Sequence, residues 1–364
     1  GRIICSCPEK GSRNYSRFLH IRPNAFFPLP AEKKDFQNRI KNAAAKILLP
    51  VMILSFLVSC ASKKSGNTDI KQDTAQGTAQ NSDAMDDDIP RNPYGDTDFS
   101  RPQGFDEKRD GVDYGYMNDR VIYYSSTIGK DKMCGVLLPA GYDEKKKYPV
   151  VYVLHGFGGD HFDWSRDDSY LDIVYGNMLV DGTAKPMIIV TVDMYTSEIA
   201  SKETATGEQS RTAYDNFVND LQNDLMPFIE RTYSVKTGRE NTGIIGTSQG
   251  GTECLAIGFI MQDKIGYISS LAPCPGVIPT QFNAGSFWNK PILEDFEIKS
   301  EETKPVYLSL MVGSRDPWCL DSTRYYHQKL TEEGIKHDYF EVEGSGHDDD
   351  VWKAGLYNLF KRCF

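Results

Sequence analysis

Gly246-Thr247-Ser248-Gln249-Gly250-Gly251 lies between an apolar run, Thr242 to Ile245, and a helix-compatible run, Thr252 to Met261. A Gly-x-Ser-x-Gly stretch on a strand-to-helix turn is a nucleophile elbow. The serine backbone is strained there, and residues without a Cβ let neighbouring chain approach on either side. The same pattern also occurs as a plain glycine-rich strand-to-helix turn, so the rest of the chain has to decide its meaning.

Outward from the elbow the chain alternates strand and helix. Continuous apolar runs at Tyr148 to Leu154, Met187 to Val192, Thr242 to Ile245, Tyr267 to Leu271, Val306 to Val312 and Lys336 to Val342 suit strands covered on both faces. Helical patterns fall at Tyr170 to Val180, Asn216 to Tyr233, Gly251 to Met261, Ser322 to Glu333 and Val351 to Phe360. Arg120 to Ser126 and Met133 to Leu138, joined through Gly129-Lys130, read as an antiparallel hairpin at the sheet edge. The expectation is an α/β-hydrolase fold, with a mostly parallel central sheet and helices on both faces.

That fold makes a demand on residue order. The partners of the serine must follow it as an acid and then a histidine, each in a loop after a strand. His327 falls inside a helical pattern and His337 opens a strand, whereas His347 sits in Gly344-Ser345-Gly346-His347 after the last strand. Asp316, in the turn Gly313-Ser314-Arg315-Asp316 after Val306 to Val312, is the candidate acid. Its rivals are Asp321, better suited to capping the next helix, and Asp348 to Asp350, a charge run placed to cap the last one.

In that arrangement Ser248 is the nucleophile and His347 the general base and acid, while Asp316 fixes the imidazole tautomer. The glycine-rich loop after Leu154 offers the backbone N–H of Phe157, with that of Gln249, to the oxyanion. His155 reads as a strand-end structural residue rather than a second base.

The chain has 364 residues, 40% hydrophobic, and a net charge of −10. Residues 1 to 60 carry +7, which leaves −17 on the remainder. An acidic body lacks the electrostatic footprint of nucleic-acid binding and suits uncharged partners. Five of the eight cysteines, Cys134, Cys254, Cys274, Cys319 and Cys363, lie beyond residue 110 without CxxC spacing, which argues against zinc. One or two bridges are open to them; buried free thiols are the simpler expectation.

Residues 1–40 are an unassigned leader. Residues 41–60 read as a lipoprotein signal peptide: Lys41 and Lys46, a twelve-residue apolar run from Ile47 to Val58, and Cys60 at a lipobox-like ending. Twelve residues are too few for a spanning helix, which needs about 20. Residues 61–110 are a flexible polar linker, though Ile89 to Gly111 has the composition of irregular chain laid over the domain, and 111–364 form the hydrolase domain.

The run from Tyr148 through His155-Gly156-Phe157-Gly158-Gly159 to Asp163-Trp164, the elbow with its extra Gly251, and Gly346-His347-Asp348 to Val351-Trp352-Lys353 resemble the esterase D-like feruloyl and acetyl xylan esterases. The similarity covers roughly Arg120 to Phe364. It implies a cofactor-free serine esterase that cleaves feruloyl or acetyl esters on a plant polysaccharide such as arabinoxylan, with Ser248, Asp316 and His347 as triad. Gln249 stands where members of the group often have Met, and the loops Ala272-Pro273-Cys274-Pro275 and Asp316-Pro317-Trp318 map onto no specificity. Trp164, Trp318 and Tyr195 are candidates to line the substrate site.

With the lipobox, the expectation is an enzyme of the bacterial cell envelope, anchored to the membrane through lipid on Cys60. Two other readings stay open: an esterase of the same fold on a non-carbohydrate ester or thioester, and a non-catalytic glycan-binding surface lipoprotein.

Overall fold

The computed structural model describes residues 98–166, 170–282 and 290–364. The leader, the signal segment with Cys60 and the linker up to residue 97 lie outside the described residues. The chain divides into Gly1–Gln80 and Asn81–Phe364, and all described residues belong to the second unit. Among them no helix is long and apolar enough to cross a membrane.

Eight strands form one sheet: β1 (Tyr116–Ser125), β2 (Lys130–Leu138), β3 (Val150–Leu154), β4 (Ile188–Val192), β5 (Thr242–Thr247), β6 (Tyr267–Leu271), β7 (Tyr307–Gly313) and β8 (Asp338–Val342). Their order across the sheet is β1-β2-β4-β3-β5-β6-β7-β8. The β1/β2 hairpin sits at the edge and β2 joins β4 antiparallel; every other pairing is parallel. This is the mostly parallel, doubly covered sheet that the alternation implies, in the α/β-hydrolase arrangement that the elbow calls for.

The helices are α1 (Leu171–Val180), α2 (Gly207–Asp215), α3 (Phe217–Asp220), α4 (Met226–Thr232), α5 (Gln249–Ile260), α6 (Leu320–Glu332) and α7 (Asp349–Arg362). The single helix expected from Asn216 to Tyr233 is α3 and α4 joined by a π-helical turn, Leu221–Leu225.

The continuous apolar strands are explained by the two cores they divide between. In β3, Val150, Tyr152 and Leu154 face one cluster with residues of α3, α4, α5 and α6, while Val151 and Val153 face another with α1 and α7. Strand residues alternate between faces, so a sheet covered on both sides needs apolar side chains at every position.

The domain begins earlier than residue 111. Phe99 and Phe105 are buried in the α1/α7 core, with Phe99 stacked on Phe340 at 4.9 Å and Phe105 edge-on to Tyr357 at 5.5 Å. Asn177 Nδ2 donates to the carbonyls of Phe105 and Glu107, both at 2.9 Å. These contacts fasten residues 98–110 to the domain as packed irregular chain, as the composition of Ile89 to Gly111 suggested, rather than as flexible linker.

Candidate active site

The elbow is a backbone construction. β5 runs to Thr247 and α5 starts at Gln249, which leaves Ser248 alone at φ 57° and ψ −120°. A Cβ on Gly246 would stand 2.0 Å from the Gly250 carbonyl oxygen, one on Gly250 2.4 Å from that of His155, and one on Gly251 2.5 Å from that of Leu271. Backbone oxygens cannot step aside as a flexible side chain can, so all three positions require glycine. The Ser248 N–H donates to the Leu271 carbonyl at 2.9 Å, tying the strained residue to the end of β6.

Gln249 is buried, and its side chain turns inward to donate to Glu253 Oε1 at 2.7 Å. Burial and the neighbouring Asp215 carboxylate push the Glu253 carboxyl well above the usual range. The side chain is thus spent on the core, while the Gln249 N–H, the first of α5, has no partner within the helix.

The donor loop is set by His155. Its Nδ1 donates to the Gly156 carbonyl at 2.6 Å and its Nε2 accepts the Met194 N–H at 3.0 Å, joining the ends of β3 and β4. Both ring nitrogens are occupied, as suits a structural residue. Tyr214 Oη accepts the Gly158 N–H at 2.9 Å, and its ring lies 5.8 Å from that of Phe157.

On the other side of Ser248, Asp316 and His347 meet: His347 Nδ1 lies 2.6 Å from Asp316 Oδ2. Asp316 is buried, and its Oδ1 accepts the N–H groups of Trp318 and Cys319, both at 2.9 Å. Burial pushes the Asp316 carboxyl up, but the His347 hydrogen bond and these two N–H donors outweigh it and hold the group below the usual carboxylate range. The rivals Asp321 and Asp348 are placed elsewhere. Asp321 lies in the first turn of α6 without serving as its cap, and Asp348 caps α7 by accepting the Asp350 N–H at 3.2 Å. His327 and His337 are buried against each other at 2.7 Å.

Ser248 and His347 line one cavity of about 350 Å³ with Gly156, Phe157, Trp164 and Trp352. Trp164 therefore stands where a substrate-contacting residue should. Trp318 does not line the cavity. It is 58% exposed, with its ring edge-on to His347 at 5.1 Å. Tyr195 packs at 90° on Tyr214, one layer behind the Phe157 loop, and also lies outside the cavity lining.

Residues 125–362 match the family model Esterase, described as "Putative esterase". The chain belongs to this esterase family. It is 33% identical to a ferulic acid esterase from Anaeromyces mucronatus, covering 73% of this chain and 97% of that one with a TM-score of 0.67. It is 23% identical to an endo-1,4-beta-xylanase/feruloyl esterase from Xylanibacter ruminicola over 73% of this chain. This chain spans only 34% of that protein's length. An acetyl esterase from Caldicellulosiruptor saccharolyticus is 22% identical, over 66% of this chain and 96% of that protein.

The sequence did not reveal the whole lining of this cavity. Trp352, Tyr170, Asp163 and Asp349 also line it, and Tyr170 donates to Asp349 Oδ1 at 3.2 Å to close one wall. Trp352 and Asp349 lie within one and a half helical turns of His347, and the periodicity of α7 could have placed both on the cavity side. Tyr170 has no such signal.

The cysteines divide as well. Cys134, Cys254 and Cys363 are buried free thiols, as expected, whereas Cys274 and Cys319 form a disulfide. Asp316, Cys319 and His347 offer ligand atoms within 4.8 Å of one another, but the Cys319 sulfur is taken by Cys274.

Proposed function

We propose that the chain is a serine carboxylic-ester hydrolase that removes feruloyl groups from plant cell-wall polysaccharide such as arabinoxylan through an acyl-serine intermediate. The observation that carries this is the 2.6 Å Asp316–His347 pair sharing a cavity with Ser248 at a strained elbow. Ser248 Oγ attacks the ester carbonyl as His347 takes its proton at Nε2, while Asp316 holds Nδ1–H and stabilises the imidazolium. The serine–imidazole hydrogen bond of such sites tightens in the substrate complex. The backbone N–H groups of Phe157 and Gln249 receive the oxyanion, and His347 returns the proton to the departing sugar alkoxide. Water then attacks the acyl-serine in the same way.

The aromatic wall favours feruloyl over acetyl as the acyl group. Trp164, Tyr170 and Trp352 line about 350 Å³, room that a planar hydroxycinnamoyl ring fills and an acetyl group leaves empty. The ferulic acid and acetyl esterases among its relatives keep both within reach. A panel of methyl ferulate, acetylated xylan and short acyl nitrophenyl esters separates them. The reading requires release of ferulate by the wild type, and loss of release together with fluorophosphonate labelling in a folded Ser248→Ala. Turnover undiminished in that variant would end the reading.

We also infer a lipid anchor at Cys60 and a place in the bacterial cell envelope. The support is the basic, apolar and cysteine order of residues 41–60, and a disulfide that suits an oxidising compartment. Labelled palmitate incorporated by cells expressing the chain, and lost in Cys60→Ala, is the expected result.

A further inference from the structure

Three elements meet beside the nucleophile: the start of α5, the loop that follows β6, and the loop that follows β7. The disulfide Cys274–Cys319 joins the last two. Each end reaches the site. Ser248 Oγ lies 3.7 Å from Cys274 Sγ, and the Cys319 N–H is one of the two backbone donors on Asp316 Oδ1, at 2.9 Å. One covalent bond therefore runs from the flank of the nucleophile to the peptide that orients the acid.

Hydrogen bonds fasten the same loop on both sides. Thr252 Oγ1, in the first turn of α5, donates to the Cys274 carbonyl at 3.1 Å, and Tyr326 Oη, from α6, donates to it at 3.0 Å. Tyr326 Oη also accepts the Gly276 N–H at 3.0 Å, while Ser322 Oγ donates to the Pro273 carbonyl at 2.7 Å. The loop contains Ala272, a residue with a side chain at φ 45°. Such a conformation persists only where its surroundings impose it.

We propose that Cys274 and Cys319 are positioning residues whose disulfide holds the Asp316 carboxylate and the wall beside Ser248 in one fixed relation. The bond takes no part in the chemistry. It acts through the Cys319 N–H on Asp316 and through the packing of the Cys274 sulfur against the serine hydroxyl. The proposal rests on the ester-hydrolase reading above, because it assigns the bond to the transition state rather than to global folding. Misplacing a catalytic group by about 1 Å can cost on the order of 100-fold in rate, whereas substrate binding along the aromatic wall is untouched by this bond.

The test compares oxidised and reduced full-length chain on methyl ferulate at a temperature where both retain their circular dichroism spectrum. One dithiothreitol supplies two electrons and two protons; the protein S–S becomes two S–H groups and the reagent leaves as its cyclic disulfide. The Cys274→Ala/Cys319→Ala double variant makes the same comparison without reagent. Among the described residues its remaining cysteines, Cys134, Cys254 and Cys363, are already free, so dithiothreitol has no other bond to reduce there.

The expected result is kcat lowered about 10-fold to 100-fold with KM changed less than about twofold, restored on reoxidation of the wild type. Full kcat in the folded, reduced or doubly substituted chain overturns the proposal. So does unfolding on loss of the bond, which would make it a staple of the whole domain. Fluorophosphonate labelling of Ser248 keeps the two readings apart. A chain inert on every ester, whose labelling still slows about tenfold on reduction, retains the positioning role and loses the substrate assignment.

Discussion

The two halves of the site are built by opposite means. The nucleophile half is local: six consecutive residues, three of them glycines for which a Cβ would strike backbone oxygen at 2.0 to 2.5 Å, force Ser248 to φ 57° between a strand and a helix. The acid–base half is assembled from two loops 31 residues apart, and its order comes from hydrogen bonds and a disulfide between elements that are not neighbours in the chain. A local device fails by steric collision. An assembled one fails by drift, and should lose rate before it loses fold.

The largest expected effect is on the assembled half. Asp316→Asn should leave the domain folded and lower kcat by about 10⁴-fold, because the amide presents the wrong tautomeric partner to His347. A loss of less than about tenfold would return the acid role to another carboxylate. On the local half, Gly250→Ala places a methyl 2.4 Å from the His155 carbonyl oxygen and should cost about 1–3 kcal/mol in urea unfolding, with activity falling alongside stability. A stable, active Gly250→Ala would erase the contrast between the halves.

Smaller effects sharpen it. Two tryptophans stand edge-on to His347, Trp352 at 5.0 Å and Trp318 at 5.1 Å, but only Trp352 lines the cavity. Trp352→Ala should raise KM for methyl ferulate up to about tenfold, and Trp318→Ala by no more than about threefold. The reverse ranking would move the substrate to the Trp318 side.

The smallest effect is a pH dependence of stability. The Asp316 carboxyl is depressed in the folded chain, so its ionised form stabilises the fold above about pH 4, the unfolded value. That contribution fades as pH falls through the depressed folded value. The stability gap between wild type and Asp316→Asn should therefore be constant near neutrality and shrink in acid. A gap that widens in acid contradicts the hydrogen bonding described for this carboxylate.

Much of the fold could be read along the chain. Every expected strand run overlaps a strand of the sheet, because a doubly covered sheet writes itself as unbroken apolar runs at β3, β4 and β7. The start of the domain was less legible. The composition of Ile89 to Gly111 suggested irregular chain laid over the domain, but only the core shows that Phe99 and Phe105 are the side chains that enter it. Within the site, Trp164 lines the cavity but Trp318 and Tyr195 do not, since a residue's place after a strand fixes its edge of the sheet and not the direction of its side chain.

What the sequence determined by itself is the elbow, the alternation around it and the order Ser248, Asp316, His347. These follow from backbone sterics and from periodicity, which act between near neighbours. What only the tertiary structure decided is which cysteines pair, which aromatic side chains face Ser248, and that Gln249 is spent on Glu253. Each of those depends on the distance between groups far apart in the chain. That distance is set by how two cores pack on one sheet.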